Sequence, residues 1–446
     1  MGAARFANAA LWGGALLALL GAGFASPWSS PLANPSQRAA MITTSLLALS
    51  ACLGLCTRLP LSARISIAMS LVTLLMGLYG AEVFLRWRIV SQVQRAANRL
   101  GRSFDPRNRL EVLRDLRREG KEAWPVMFVG PLVQGNEELP LLPLAGISGV
   151  LTVHCNEIGT PLVYPSDQHG FLNPPGMWGP APLDVALLGD SFAQGNCVSE
   201  EENAAARIRR EFPRTLNLGI EAFGPLLELA ALREYLPSLR PRRVVWLYDE
   251  GDDLTADLNH EKARGRLLEY LEPDRVQHLA ARQPEVDRFW KAKFSELTAR
   301  RRDSESALDR WKSTLVSWLR LRTLRGRVGL QASPPRPDFA GVDLDLFRRI
   351  LESARDATHG WGGEFYFAYL PAEASVRGRS SAGQEALRDS VLQTVRELGI
   401  PSIDLLPVLQ SAKDTDSLYA FPGAHLTPKG YGLLGDGIAM GLKEPE

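Results

Sequence analysis

The chain has 446 residues, with 51 Lys and Arg against 50 Asp and Glu, a net charge of +1. Nothing in that balance points to a nucleic-acid partner. Of the four cysteines none forms a Cys-x-x-Cys pair outside the apolar N-terminal region, which argues against a zinc site.

The first hundred residues suit a different solvent from the rest. Ala9 to Ala25, Ala39 to Cys56 and Ile65 to Leu85 are apolar, and each approaches the roughly 20 residues a helix needs to cross a bilayer. Residues 1–88 therefore read as a transmembrane region of about three helices. The first segment also fits a signal peptide, with Arg5 ahead of it and Gly23-Phe24-Ala25 as a small-x-small cleavage site. Trp28 and Trp87 suit a membrane interface, and Glu82 lies close to a helix end, as an interfacial or bundle-facing carboxylate would. Arg58 and Arg64 favour a cytoplasmic second loop, which places the remaining chain outside, whereas the cluster from Arg86 to Arg102 argues the opposite. Cys155 and Cys197 are the only cysteines of the globular part, and a disulfide between them would suit an oxidising space; two buried free thiols is the other reading. On balance a bacterial inner-membrane anchor with a periplasmic or extracellular domain is expected.

Residues 89–182 read as a juxtamembrane helix, broken near Asp105-Pro106, followed by a Pro- and Gly-rich, partly β segment. From 183 to 446 short apolar runs alternate with helix-periodic ones. Strands are predicted at 184–188, 215–220, 243–248, 364–370 and 402–406; helices at 200–212, 226–236, 383–398 and from Pro428 onward. That alternation predicts an α/β fold with a parallel sheet and right-handed crossovers. Residues 255–335 are charged and helix-periodic, an insertion placed to cap the sheet edge as a lid; Trp311 to Arg327 within it is basic and aromatic.

Chemistry concentrates at Val185-Ala-Leu-Leu-Gly-Asp-Ser-Phe-Ala-Gln-Gly195, where an apolar strand stops at a Gly and delivers Ser191 to the sheet's carboxyl edge. Of six histidines, His425 in Phe421-Pro-Gly-Ala-His-Leu-Thr-Pro-Lys-Gly-Tyr431 precedes a terminal helix. A neutral imidazole beside Ser191 would act as its general base.

Gly-Asp-Ser-Phe-x-x-Gly after a strand, with the late His-Leu-Thr-Pro block, resembles the SGNH/GDSL hydrolase family of serine esterases. The resemblance covers about 184 to 442. It implies a flavodoxin-like three-layer fold, Ser191 as nucleophile and His425 as acid and base. It also implies oxyanion donors from the Ser191 backbone and the second block, where Ala222 stands at the family's glycine with Gly224 as neighbour. Two departures follow. Asp252 occupies the place of the family's amide-donating asparagine, and the acid shortly before the histidine is missing, because Pro422, Gly423 and Ala424 fill those positions. A Ser–His dyad, an orienting carbonyl or a distant carboxylate such as Asp416 would have to substitute. Ser166-Asp-Gln-His-Gly-Phe-Leu-Asn-Pro174 is similar to a turn in membrane-linked SGNH proteins of envelope-polysaccharide loci, which makes His169 a site-lining or turn-stabilising residue.

The acidic run from Asp249 to Asp253 is of the type that holds a divalent cation. The third-block resemblance accounts for the same residues, so neither a metal nor a cofactor is expected. The leading reading is a membrane-anchored serine esterase or O-acetyltransferase acting on acyl groups of an envelope polysaccharide, with an acylated glycan or other ester as substrate. The alternative is a catalytically degraded SGNH-like scaffold or binding protein of a polysaccharide assembly or export system, partnered by its other proteins. A lipid esterase is a third reading, drawn only from the membrane anchor.

Overall fold

The computed structural model describes residues 2–25, 35–130, 132, 139–263, 265–304, 321, 323–324 and 341–443. The chain divides into two compact units, one of residues 1–90 with 302–333 and one of 91–301 with 334–446.

The first unit holds α1 (Gly2–Ala25) and α2 (Pro35–Cys56), and most of α3 (Leu61–Arg99) falls within it. Of these, α3 is long and apolar enough to cross a membrane. Small residues let the helices approach: a side chain at Gly14 would collide with Leu71, and Ser50 Oγ donates to the Ala15 carbonyl at 2.9 Å. Large apolar side chains such as Trp12, Leu55, Leu74, Met76 and Phe84 point outward. Glu82 is instead fully enclosed, held by Arg86 at 2.8 Å and by the Leu324 N–H at 2.7 Å.

In the second unit a five-stranded, all-parallel sheet has the order β5-β4-β6-β7-β8, formed by β4 (Val185–Gly189), β5 (Thr215–Asn217), β6 (Arg243–Asp249), β7 (Glu364–Leu370) and β8 (Ser402–Asp404). The central strands are apolar throughout, as burial on both faces demands: all of β4 is buried, and β6 after its first residue. One face is covered by α5 (Pro225–Tyr235), α7 (Leu344–Gly360) and α8 (Ala382–Glu397), whose apolar sides meet Leu188, Trp246 and Phe367. The other is covered by α9 (Pro428–Gly441), with Tyr431 and Ile438 against Leu187 and Leu247. Chain order therefore reverses beside β4, between β5 and β6, which is where such sheets bind ligands.

Residues 89–182 are built into this unit. After α4 (Arg109–Arg118), strands β1 (Ala123–Pro125), β2 (Leu151–Val153) and β3 (Val163–Pro165) make a small mixed sheet. Leu141, Leu144 and Phe171 join the same core as Leu188. The described part of the insertion does the same. Leu258, Tyr270 and Trp290, the last on α6 (Gln283–Ser304), are buried in that core, and the Trp290 indole donates to the Ala145 carbonyl at 2.7 Å. The basic-aromatic stretch from Trp311 to Arg327 lies largely outside the described residues.

Candidate active site

β4 ends at Gly189, whose φ of +149° and close packing exclude a side chain; a Cβ there would lie 2.7 Å from Ala193 Cβ and 3.0 Å from the Leu247 carbonyl oxygen. The chain turns at once into a short helix, Ser191–Gln194, whose first residue is the serine. Asp190 caps it, accepting from the Phe192 N–H at 2.9 Å. Gly219, beyond β5, allows that helix to lie on the next strand's end, since a Cβ would sit 2.3 Å from the Gln194 nitrogen.

His425 reaches this point from the other end of the chain. It follows the Gly423 turn and precedes α9, which Thr427 caps; the Ala420 N–H donates to the His425 carbonyl at 3.1 Å. Its Nε2 lies 3.0 Å from Ser191 Oγ, and its ring packs on Phe192 with centroids 5.3 Å apart.

Glu157, in the loop after β2, meets His425 from the other side. Its Oε1 is 3.1 Å from His425 Nδ1, and its Oε2 accepts the His425 backbone N–H at 2.8 Å. One carboxylate thus fixes both the ring and the backbone of the histidine. Asp416, the distant carboxylate considered from sequence, is exposed and paired with Arg377 instead. Cys155, two residues before Glu157, is disulfide-bonded to Cys197, six residues after Ser191. That bond ties the Glu157 loop to the Ser191 turn. Burial opposes charge on His425, but the hydrogen bond and charge of Glu157, with Asp190 and Glu221 farther off, outweigh it and raise its pKa. His154 lies with its Nε2 3.5 Å from Glu221 Oε2, yet burial, then the Arg109 and His425 charges, push it down to about 3, so it is neutral at physiological pH.

Ala222 has φ of +63°, a left-handed conformation that favours glycine. Among the described residues neither its N–H nor that of Ser191 makes a hydrogen bond within the protein, leaving both available to an oxyanion. Gly224 is not a donor. Its N–H is taken by Glu261 Oε1 at 2.7 Å, and Glu261 Oε2 takes the Leu226 N–H at 2.8 Å, so this carboxylate satisfies the start of α5. Asp252 is exposed and stands with Asp190 and Asp249, an oxygen of each lying within 4.8 Å of the others. Burial first, and then neighbouring carboxylates, raise the pKa values of Asp190 and Asp249. His169 packs on Trp178 and Tyr235, with ring centroids 4.3 and 5.8 Å away. That contact makes it part of an aromatic cluster.

Sequence reasoning missed Glu157, and with it Asn196, which is buried and whose Nδ2 donates to Glu221 at 3.0 Å and lies 3.5 Å from His425 Nε2. The available signal was the cysteine pair: joining Cys155 to Cys197 carries Glu157 toward Ser191.

No family model and no curated protein matches the chain. Among solved structures it is similar to a lipolytic protein of the G-D-S-L family from Desulfitobacterium hafniense, at 13% identity, covering 58% of this chain and 98% of that one, with a TM-score of 0.33. It is also similar to a lipase/acylhydrolase from Enterococcus faecalis, at 16% identity, 59% and 97% coverage and a TM-score of 0.33. A two-domain esterase active on acetylated mannans matches at 12% identity, with 60% and 53% coverage and a TM-score of 0.29. These likenesses are faint, and the chemical case rests on the site's own geometry.

Proposed function

We propose that the chain is a membrane-anchored serine esterase or O-acyltransferase of the SGNH type, acting on ester-linked acyl groups of an envelope glycan. The observation that carries this is the hydrogen-bonded series Ser191–His425–Glu157. His425 takes the Ser191 proton as Oγ attacks the acyl carbon. Glu157 holds the ring so that Nε2 faces the serine and stabilises the imidazolium that forms. The N–H groups of Ser191 and Ala222 receive the oxyanion. Collapse of the intermediate passes the proton to the departing alcohol and leaves an acyl-serine, which water or a second hydroxyl then resolves; the first outcome is hydrolysis, the second transfer. Glu157 supplies the acid whose absence motivated the scaffold reading, and so favours catalysis over it. The outward apolar side chains of α1, α2 and α3 support an anchor of three helices. The Cys155–Cys197 bond supports an oxidising, periplasmic or extracellular setting for the second unit.

The test uses the full-length protein in detergent, treated with a serine-reactive phosphonate and mapped by mass spectrometry. A label on Ser191 that disappears in His425→Ala is the expected result. A folded protein that takes no label would return the chain to the scaffold reading.

A further inference from the structure

The carboxyl groups of Asp190, Glu228, Asp249, Asp252, Asp253 and Asp257 gather at the carboxyl ends of β4 and β6, beside the serine. Oxygens of Asp190, Asp249 and Asp252 lie within 4.8 Å of one another, as do those of Asp252, Asp253 and Asp257. Two oxygens bound to one calcium ion at 2.3–2.6 Å can stand no more than about 5 Å apart, so both trios are at coordination spacing. Asp252 belongs to both. Among the described residues no lysine or arginine pairs with any of the six; Lys262, the nearby cation in sequence, is paired with Asp343.

Spacing alone would mean little, but two of these groups bury carboxyl oxygens that no donor meets. Asp253 is fully buried; its Oδ2 accepts the Asp249 N–H at 2.9 Å, while Oδ1 has no hydrogen bond. Glu228 is fully buried with neither oxygen bonded, and the charges that act on it are all carboxylates, Asp190, Glu261, Asp257 and Asp252. An enclosed carboxyl oxygen without a donor costs several kcal/mol, and protonation leaves the new O–H to be satisfied as well. A cation removes both costs.

We propose that this cluster is a binding site for a hard divalent cation of the calcium class, seated at Asp252 between the two trios. An all-oxygen set of carboxylates selects calcium, magnesium or manganese over zinc or copper. Many carboxylates from several stretches of chain suit the larger, geometrically tolerant ion better than magnesium, which keeps its waters. Asp252, the exposed member, admits the ion. Its charge would then be neutralised at the position where the resemblance calls for an uncharged amide. That last consequence rests on the esterase reading; the site does not.

Calorimetric titration of EDTA-treated full-length protein in detergent, with CaCl2 and separately with MgCl2, tests it. Saturable calcium binding is expected, with affinity at least ten-fold weaker in Asp252→Asn and in Asp253→Asn, and unchanged in Asp345→Asn, an exposed acid elsewhere. Calcium should raise the melting temperature of the wild type by several degrees, beyond an equal ionic strength of KCl. Should Asp253→Asn fail to fold, the surface variant Asp252→Asn carries the comparison. Absence of saturable heat in folded wild-type protein, or binding unaltered in Asp252→Asn, overturns the site; tighter magnesium binding overturns the choice of ion. Binding without any ester turnover would leave this inference standing and remove the function proposed above.

Discussion

Ser191 lies between two polar neighbourhoods built on opposite terms. Toward His425 the carboxylates have partners: Glu157 the ring and backbone of the histidine, Glu221 the Asn196 Nδ2, although Asn196 Oδ1 is left unbonded. Toward β6 carboxyl groups crowd one another, and two of them keep unbonded oxygens within the protein. Paired groups fix a geometry; unpaired like charges store a demand for something else. The first neighbourhood is a finished machine part. The second is legible only as a receptor.

The strongest way to break this contrast is to remove the paired side. Ser191→Ala and His425→Ala should each lower ester turnover by roughly 10⁴- to 10⁶-fold, with the double variant little worse, as expected of groups that act together. Additive losses in the steady-state rates would show that the two do not work as one unit.

Glu157→Ala should cost about 10²- to 10⁴-fold in kcat with a small change in KM. The pH dependence sharpens this. Activity requires neutral His425, whose pKa is raised by Glu157, so turnover should climb with pH to a midpoint above the ordinary histidine value. In Glu157→Gln the midpoint should move down, because the raising charge is gone. Stability runs the other way: the raised value stabilises the fold below the unfolded histidine pKa and loses that contribution as pH rises through the folded one. An identical pH–rate midpoint in Glu157→Gln would break the assignment. Asp416→Asn, by contrast, should leave the profile where it was.

Replacing Cys155 and Cys197 by serine should cost about 4 kcal/mol in chemical denaturation, given the 42-residue separation that the bond closes. Turnover should fall further than stability alone explains, since the loop carrying Glu157 is released. Retained kcat in the folded double variant would show that Glu157 is held by its own loop. The smallest effect is expected at Ala222. Ala222→Gly relieves a left-handed alanine, raising stability by about 1 kcal/mol while keeping the N–H in place. A lower melting temperature would mean that loss of the methyl group matters more than the backbone strain.

Much of this was readable without coordinates, for physical reasons. The five parallel strands are continuous apolar runs because both faces are buried, and that pattern survives in one dimension. Ser191 and His425 sit in local turns whose residues are set by backbone geometry, so their motifs are compact. Glu157 has no such local signature: it meets His425 across 268 residues through a loop that resembles any other. Gly224 looked like a donor because nothing in its vicinity announces Glu261, which arrives from 37 residues away. The acid cluster hid for the same reason. Four of its aspartates were visible as a run or near it, but Asp190 and Glu228 belong to other elements, and only folding shows that no cation answers them among the described residues.

The reach of His425 has a kinetic consequence. It closes a loop of 234 residues onto Ser191 and a longer one onto Glu157. Contacts so distant in sequence form late, because the entropy of closing the chain precedes any reward for doing so. During synthesis the Ser191 turn, the Glu157 loop and all five sheet strands emerge before the residue that links them. Turnover therefore reports on the last stage of folding, and its recovery after dilution from denaturant should lag behind the return of helical signal.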